Sequence, residues 1–123
     1  MLLFNNAVFF VLFNILNATT TIFGQNEYRK AVRAFQSENY KDAFLSFQDS
    51  ANKENPYSQY YVGYMYQNGV GVMQSDQIAK FWFEKSANQG NMDAQFNLFW
   101  IYYSGKGVES NYNKAVSWLN KSA

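Results

Sequence analysis

Asn68-Gly69-Val70-Gly71-Val72 is answered, 36 positions later, by Ser104-Gly105-Lys106-Gly107-Val108. In both places a Gly-x-Gly-Val string separates two segments whose apolar residues recur at helical spacing. Glycine reaches the left-handed conformation without steric cost, so Gly69 and Gly105 read as helix stops and Gly71 and Gly107 as parts of the same structural turns. The same offset extends outward in both directions. It aligns Ser50-Ala51, Ser86-Ala87 and Ser122-Ala123, and it pairs Tyr66 with Tyr102, Ala79 with Ala115, Trp82 with Trp118 and Lys85 with Lys121. Ala43 joins the alanine column, while Phe47, Phe83 and Leu119 form an apolar one. This many coincidences at one offset define an internal repeat.

Each period reads as helix, turn, helix. Pro56 suits the first turn of a helix that runs through Tyr66, and Ser75 or Asp76 suits the cap of the next, which continues to about Asn88. Gln89-Gly90 ends it, and the cycle repeats from Asn91 to Tyr103 and from Asn111 to Lys121. Ala79 and Ala115 are small where helices approach closely, and Trp82/Phe83 and Trp118/Leu119 fill the space between layers. The expected fold class is all-α.

Gly69-x-Gly71-Val72 followed by Ala79, Trp82, Lys85-Ser86-Ala87 and Gln89-Gly90 resembles the Sel-one-like repeat, a relative of the tetratricopeptide repeat. The resemblance places one such unit at 55–90 and another, truncated or complete, at 91–123. The segment 25–54 lacks the Gly-x-Gly loop and is similar to a tetratricopeptide helical pair, with Glu38-Asn39-Tyr40 at its turn. The family implies a right-handed α-solenoid of about three helix-turn-helix repeats that serves as an adaptor surface, with no common catalytic residue. One departure bears on geometry. Where the first unit of the pair has Gly63 the next has Phe99, which predicts a splayed helix pair or a pocket.

The amino end is different in kind. Residues 1–23 carry no charge, and Ala7 to Leu16 is a short apolar run of signal-peptide size. The segment 1–24 therefore reads as a signal peptide cut near Gly24/Gln25, giving a secreted or periplasmic protein. An uncleaved anchor is the competing reading, because no Lys or Arg precedes the run and Ile22 sits where a small residue is usual.

Ten Lys/Arg against nine Asp/Glu leave a net charge of +1, so neither nucleic acid nor a membrane surface beyond that anchor is an expected partner. With no Cys and no His, thiolate chemistry, sulfur-ligated zinc and the commonest general base are excluded, and no cofactor or metal is expected. Ser50, Ser86 and Ser122 stand in register but lack an activating base, so packing is their expected role. Glu38 with Asp42, and Arg29 with Lys30 and Arg33, read as solvated surface. Asn120-Lys121-Ser122 fits a glycosylation acceptor only in a eukaryotic secretory host.

The candidate binding face is aromatic. Tyr57, Tyr61 and Tyr64 share one side of the second unit's first helix, and Asp93, Asn97 and Trp100 occupy the matching positions one unit later. In tetratricopeptide arrays such positions line the concave groove that holds extended peptides, and Tyr and Trp supply large contact area with few rotors. The function expected is thus a non-enzymatic, exported adaptor for a protein or peptide. The alternatives are an exported hydrolase on cell-wall or peptide material, and a structural spacer. The last helix carries Ala115, Trp118 and Leu119, part of whose surface would face a following helix. The expectation is a fragment of a longer array, or self-association or partner docking through that helix.

Overall fold

The computed structural model describes residues 2–122, with side chains from Asn6 to Lys121. Six α-helices and no strand occur among them: α1 Leu2–Gln36, α2 Tyr40–Asn52, α3 Pro56–Asn68, α4 Asp76–Asn88, α5 Met92–Ser104 and α6 Tyr112–Ser122. Local chemistry sets the boundaries. The side chains of Asn55 and Asn91 accept the backbone N–H of Ser58 (3.0 Å) and Ala94 (2.9 Å), and the Ser75 hydroxyl accepts that of Ile78 (3.3 Å). Each bond satisfies an N–H that the first turn of a helix leaves open. At the other ends, Gly69 (φ 65°) and Gly105 (φ 73°) close α3 and α5 in the left-handed conformation, their N–H groups donating to the carbonyls of Met65 and Ile101.

Consecutive helices pack antiparallel into three pairs, α1/α2, α3/α4 and α5/α6, and each pair docks on the next through α2/α3 and α4/α5. The core runs the length of the stack. Ala31, Ala43, Phe47, Ala51, Val62, Met65 and Trp82 form its first part, and Ala79, Phe83, Ala87, Ala94, Leu98, Ile101, Tyr102, Ala115 and Trp118 its second.

The second glycine of each loop has a separate job from the first. A Cβ on Gly71 would lie 2.5 Å from the carbonyl oxygen of Tyr40, and one on Gly107 would lie 2.7 Å from Cβ of Asp76. Tyr40 and Asp76 are the first residues of α2 and α4, so each loop seats its second glycine on the preceding unit. The first pair has no earlier unit to touch among the described residues, and it turns through Ser37-Glu38-Asn39 with Glu38 at φ 61°.

That turn is four residues shorter than the Gly-x-Gly loop, which shifts the register of the first unit: Gly24–Gln36 matches Pro56–Asn68 and Met92–Ser104. One hydrogen bond marks the equivalence. Ser86 Oγ donates to the Pro56 carbonyl at 2.6 Å, and Ser50 Oγ donates to the carbonyl of Gly24, with Ser58 Oγ donating to Ser50 Oγ behind it. Packing is thus the observed role of Ser50 and Ser86; the side chain of Ser122 lies outside the described residues. Ser50→Ala should lower stability by about 1–3 kcal/mol, because the Ser58 hydroxyl loses its acceptor in a buried site. A chemical-denaturation midpoint equal to that of the parent would show the bond to be incidental.

In this register Glu27, Lys30 and Arg33 occupy the positions of Gln59, Val62 and Met65, and of Gln95, Leu98 and Ile101. The residues of the second and third units are buried against the preceding pair, whereas Lys30 and Arg33 are exposed and Glu27 half-buried. The outer face of the first unit is suited to water rather than to another repeat.

Phe99 does not splay its pair; α5 and α6 pack as the other pairs do. Bulk has changed sides. Ala31 and Gly63 stand in the units that carry Phe47 and Phe83 on the second helix, and a Cβ on Gly63 would meet Phe83 Cδ1 at 2.8 Å. In the third unit the first helix carries Phe99 and the second carries Leu119. The Phe99 ring is half-buried and stacks on Tyr103, centroids 5.6 Å apart.

Candidate functional site: the face of the first helices

Side-chain contacts, of rings first and of polar groups next, link the first helix of each unit to the first helix of the next. Tyr28 of α1 meets Tyr57 (5.9 Å) and Tyr61 (6.4 Å) of α3. One unit on, the Tyr60 hydroxyl hydrogen-bonds to the Asn97 side chain and faces the Asp93 carboxylate of α5; burial first, then Asp93, push its pKa up. These contacts define a continuous face along α1, α3 and α5.

The six residues expected there from sequence divide by role. Tyr57 and Trp100 are at least half exposed, and Asp93 is exposed. Tyr61 lies flat on Phe47, centroids 4.6 Å apart and planes 7° apart, and Tyr64 sits edge-on to Phe35 at 6.3 Å, so both rings serve packing as much as surface. Asn97 is half-buried and engaged by Tyr60. Trp100 stands edge-on to Phe96 (6.2 Å), Phe99 (5.0 Å) and Tyr103 (5.7 Å), and Phe96 and Tyr103 are themselves about half exposed.

Sequence reasoning missed Tyr28, Tyr60 and Phe96, which share one position of the repeat. The signal was present as the recurrence of Tyr28 in Tyr60, but it emerges only when the shorter first turn is allowed for. Arg29 also changes company. It lines a cleft of about 240 Å³ with Gln25, Tyr28, Asn55 and Tyr57, whereas Lys30 and Arg33 lie on the outer end of the stack.

Polar groups elsewhere hold units together. Gln59 and Gln95 donate from Nε2 to the carbonyls of Ala51 (3.3 Å) and Ala87 (3.0 Å), the same bond one repeat apart. The Tyr102 hydroxyl donates to Glu84 Oε1 at 2.6 Å, and Lys114 Nζ lies 4.5 Å over the Tyr102 ring. The hydrogen bond to Tyr102 raises the Lys114 pKa. Asp42 accepts from Asn39 Nδ2 at 2.6 Å, and Glu38, Asn39 and Asp42 are all exposed around that turn, as a solvated surface requires. Among the described residues no three His, Cys, Asp or Glu gather to hold a metal ion. The face presents exposed rings together with the Asp93 carboxylate and the Arg29 guanidinium.

Stacked helix pairs with an aromatic face along their first helices define a helical-repeat protein, an all-α right-handed solenoid. The chain belongs to the Sel1 repeat family, whose sequence pattern matches residues 56–91 and 93–123. A Sel1 repeat protein from Oxalobacter formigenes superposes with a TM-score of 0.76 at 26% identity, over 80% of this chain and 42% of that one. The protein c5321, a protective antigen present in uropathogenic Escherichia coli strains and displaying an SLR fold, superposes with a TM-score of 0.76 at 31% identity, over 80% of this chain and 22% of that one. The chain thus spans less than half the length of either. No curated protein matches it. Sel1 repeats generally mediate protein–protein interaction and are typically non-enzymatic scaffolds.

Proposed function

We propose that this chain is an exported adaptor that holds a protein or peptide partner on the concave face formed by α1, α3 and α5. The observation that carries the reading is the exposure of Tyr57, Phe96 and Trp100 on that face, while Tyr28 and Tyr60, the rings that match Phe96 in the other two units, are half-buried. Large rings left half in water cost little in ordering and return much on burial by a partner. Arg29 at one end and Asp93 at the other give the face opposite charges about two units apart, which would fix the direction of an extended peptide. The apolar amino-terminal segment, whether cut or kept, supports export. The open apolar surface of the third unit, Phe96, Trp100 and Tyr103, also suits a second copy or a further partner.

Trp100→Ala and Tyr57→Ala should each weaken partner binding at least ~10-fold, the size of one interface anchor, while leaving the thermal midpoint nearly unchanged. Calorimetric titration with the partner checks the first and circular dichroism the second. Binding unaffected by both substitutions moves the site elsewhere. Reproducible hydrolysis by purified protein, lost on a single substitution, would favour the hydrolase reading instead.

A further inference from the structure

We infer that the amino-terminal half of α1 stays on the mature chain and inserts into the hydrocarbon of a lipid bilayer, with Gly24 the first residue that belongs to the repeat domain.

Gly24 is where the reading as a leader and the structure meet. Between Asn6 and Lys30 it is the only buried residue. Its bare Cα fits against the end of α2: a Cβ there would stand 3.3 Å from Lys53 Cβ. Its carbonyl accepts the buried Ser50 hydroxyl, which in turn accepts from Ser58. A cut between Gly24 and Gln25 would remove that acceptor and leave the buried Ser50 hydroxyl without one, in a bond that the next unit repeats with Ser86 and Pro56. Gly24 is therefore a packing residue of the first unit.

What precedes it fits lipid. Segment 2–23 continues the helix of the first unit without a break and is about 33 Å long at ~1.5 Å per residue, close to the ~30 Å of a bilayer core. Every described side chain from Asn6 to Phe23 is exposed, Phe9, Phe10, Leu12, Ile15 and Leu16 among them, and they cover the helix all round rather than along one stripe. A helix apolar on all sides belongs in a core or in a membrane, and the repeat domain offers this one no core. Four of its polar side chains are turned back on the backbone. Asn14 donates to the Phe10 carbonyl at 2.8 Å, Thr19 and Thr20 to that of Leu16 at 2.8 and 2.6 Å, and Thr21 to that of Asn17 at 2.8 Å. In hydrocarbon such bonds remove the cost of an unpaired polar group. Where the apolar segment ends, Lys53 Nζ sits 3.8 Å from the Phe23 ring centroid, at the level suited to lipid phosphates.

The test uses the full chain with a carboxyl-terminal tag, expressed in cells. The retained helix predicts an intact 14.3 kDa chain, apart from the tag, in the membrane fraction after alkaline carbonate washing. The purified chain should float with phosphatidylcholine–phosphatidylglycerol vesicles. Val11→Arg with Leu12→Arg should move it to the soluble fraction with its helical spectrum kept. A soluble chain that has lost the segment, at whatever new first residue, overturns the inference, and so does an intact chain released by carbonate. Neither result bears on partner binding by the first-helix face, which is read on Trp100→Ala.

Discussion

Gly71→Val should lower stability by about 3 kcal/mol or more, the largest loss expected from any single loop substitution. Two costs add. A β-branched residue at φ 70° occupies a conformation that L side chains resist by ~1–2 kcal/mol or more. The new Cβ also runs into the Tyr40 carbonyl of the preceding unit, a backbone atom that cannot step aside. Gly69→Val meets mainly the first of these costs, since the nearest atom to its Cβ is Gln74 Cβ at 3.3 Å, a tight contact rather than an overlap, and should lose about 1 kcal/mol. Thermal midpoints should separate the two variants, the first falling by roughly 10 °C or more. Equal shifts would show that the loop caps its helix and does nothing for the contact between units.

Phe83→Ala should cost about 3–5 kcal/mol, as removal of a fully enclosed ring usually does. Phe83 is wholly buried, packs on Tyr60 at 5.8 Å, and lies beneath Gly63, which has no side chain to fill the void. The third unit suggests its own rescue. Phe83→Leu combined with Gly63→Phe copies the Phe99 and Leu119 arrangement and should recover much of the stability lost by Gly63→Phe alone. Urea denaturation of the three variants checks the order. A double variant less stable than both singles would mean that the third unit relies on something other than the exchange of bulk.

The Gly-x-Gly strings and their offset carried most of the fold, because a repeat writes each packing contact more than once. Ala79 and Ala115, Phe47 and Phe83, and Ser50 and Ser86 all occupy the buried places that recurrence implied. The first unit was harder to read. Its turn is four residues shorter, and its outer face carries Glu27, Lys30 and Arg33 where later units carry buried residues, so identity at a fixed offset disappears there. The candidate face was half legible for a related reason. Spacing along one helix brought Tyr57, Tyr61 and Tyr64 together, but whether a ring is open or spent on a neighbour depends on the adjacent unit. Tyr61 stacks on Phe47 and Asn97 is held by Tyr60, contacts that no single-helix projection contains.

Site-specific photocrosslinking in living cells tests the adaptor reading most directly. A benzophenone side chain placed at Tyr57, Phe96 or Trp100, on the first-helix face, should capture a discrete partner band. The same group at the exposed Leu45 or Phe81, on the second helices, should not. Capture from Leu45 and Phe81 alone would contradict the account and move the partner to the opposite side of the solenoid.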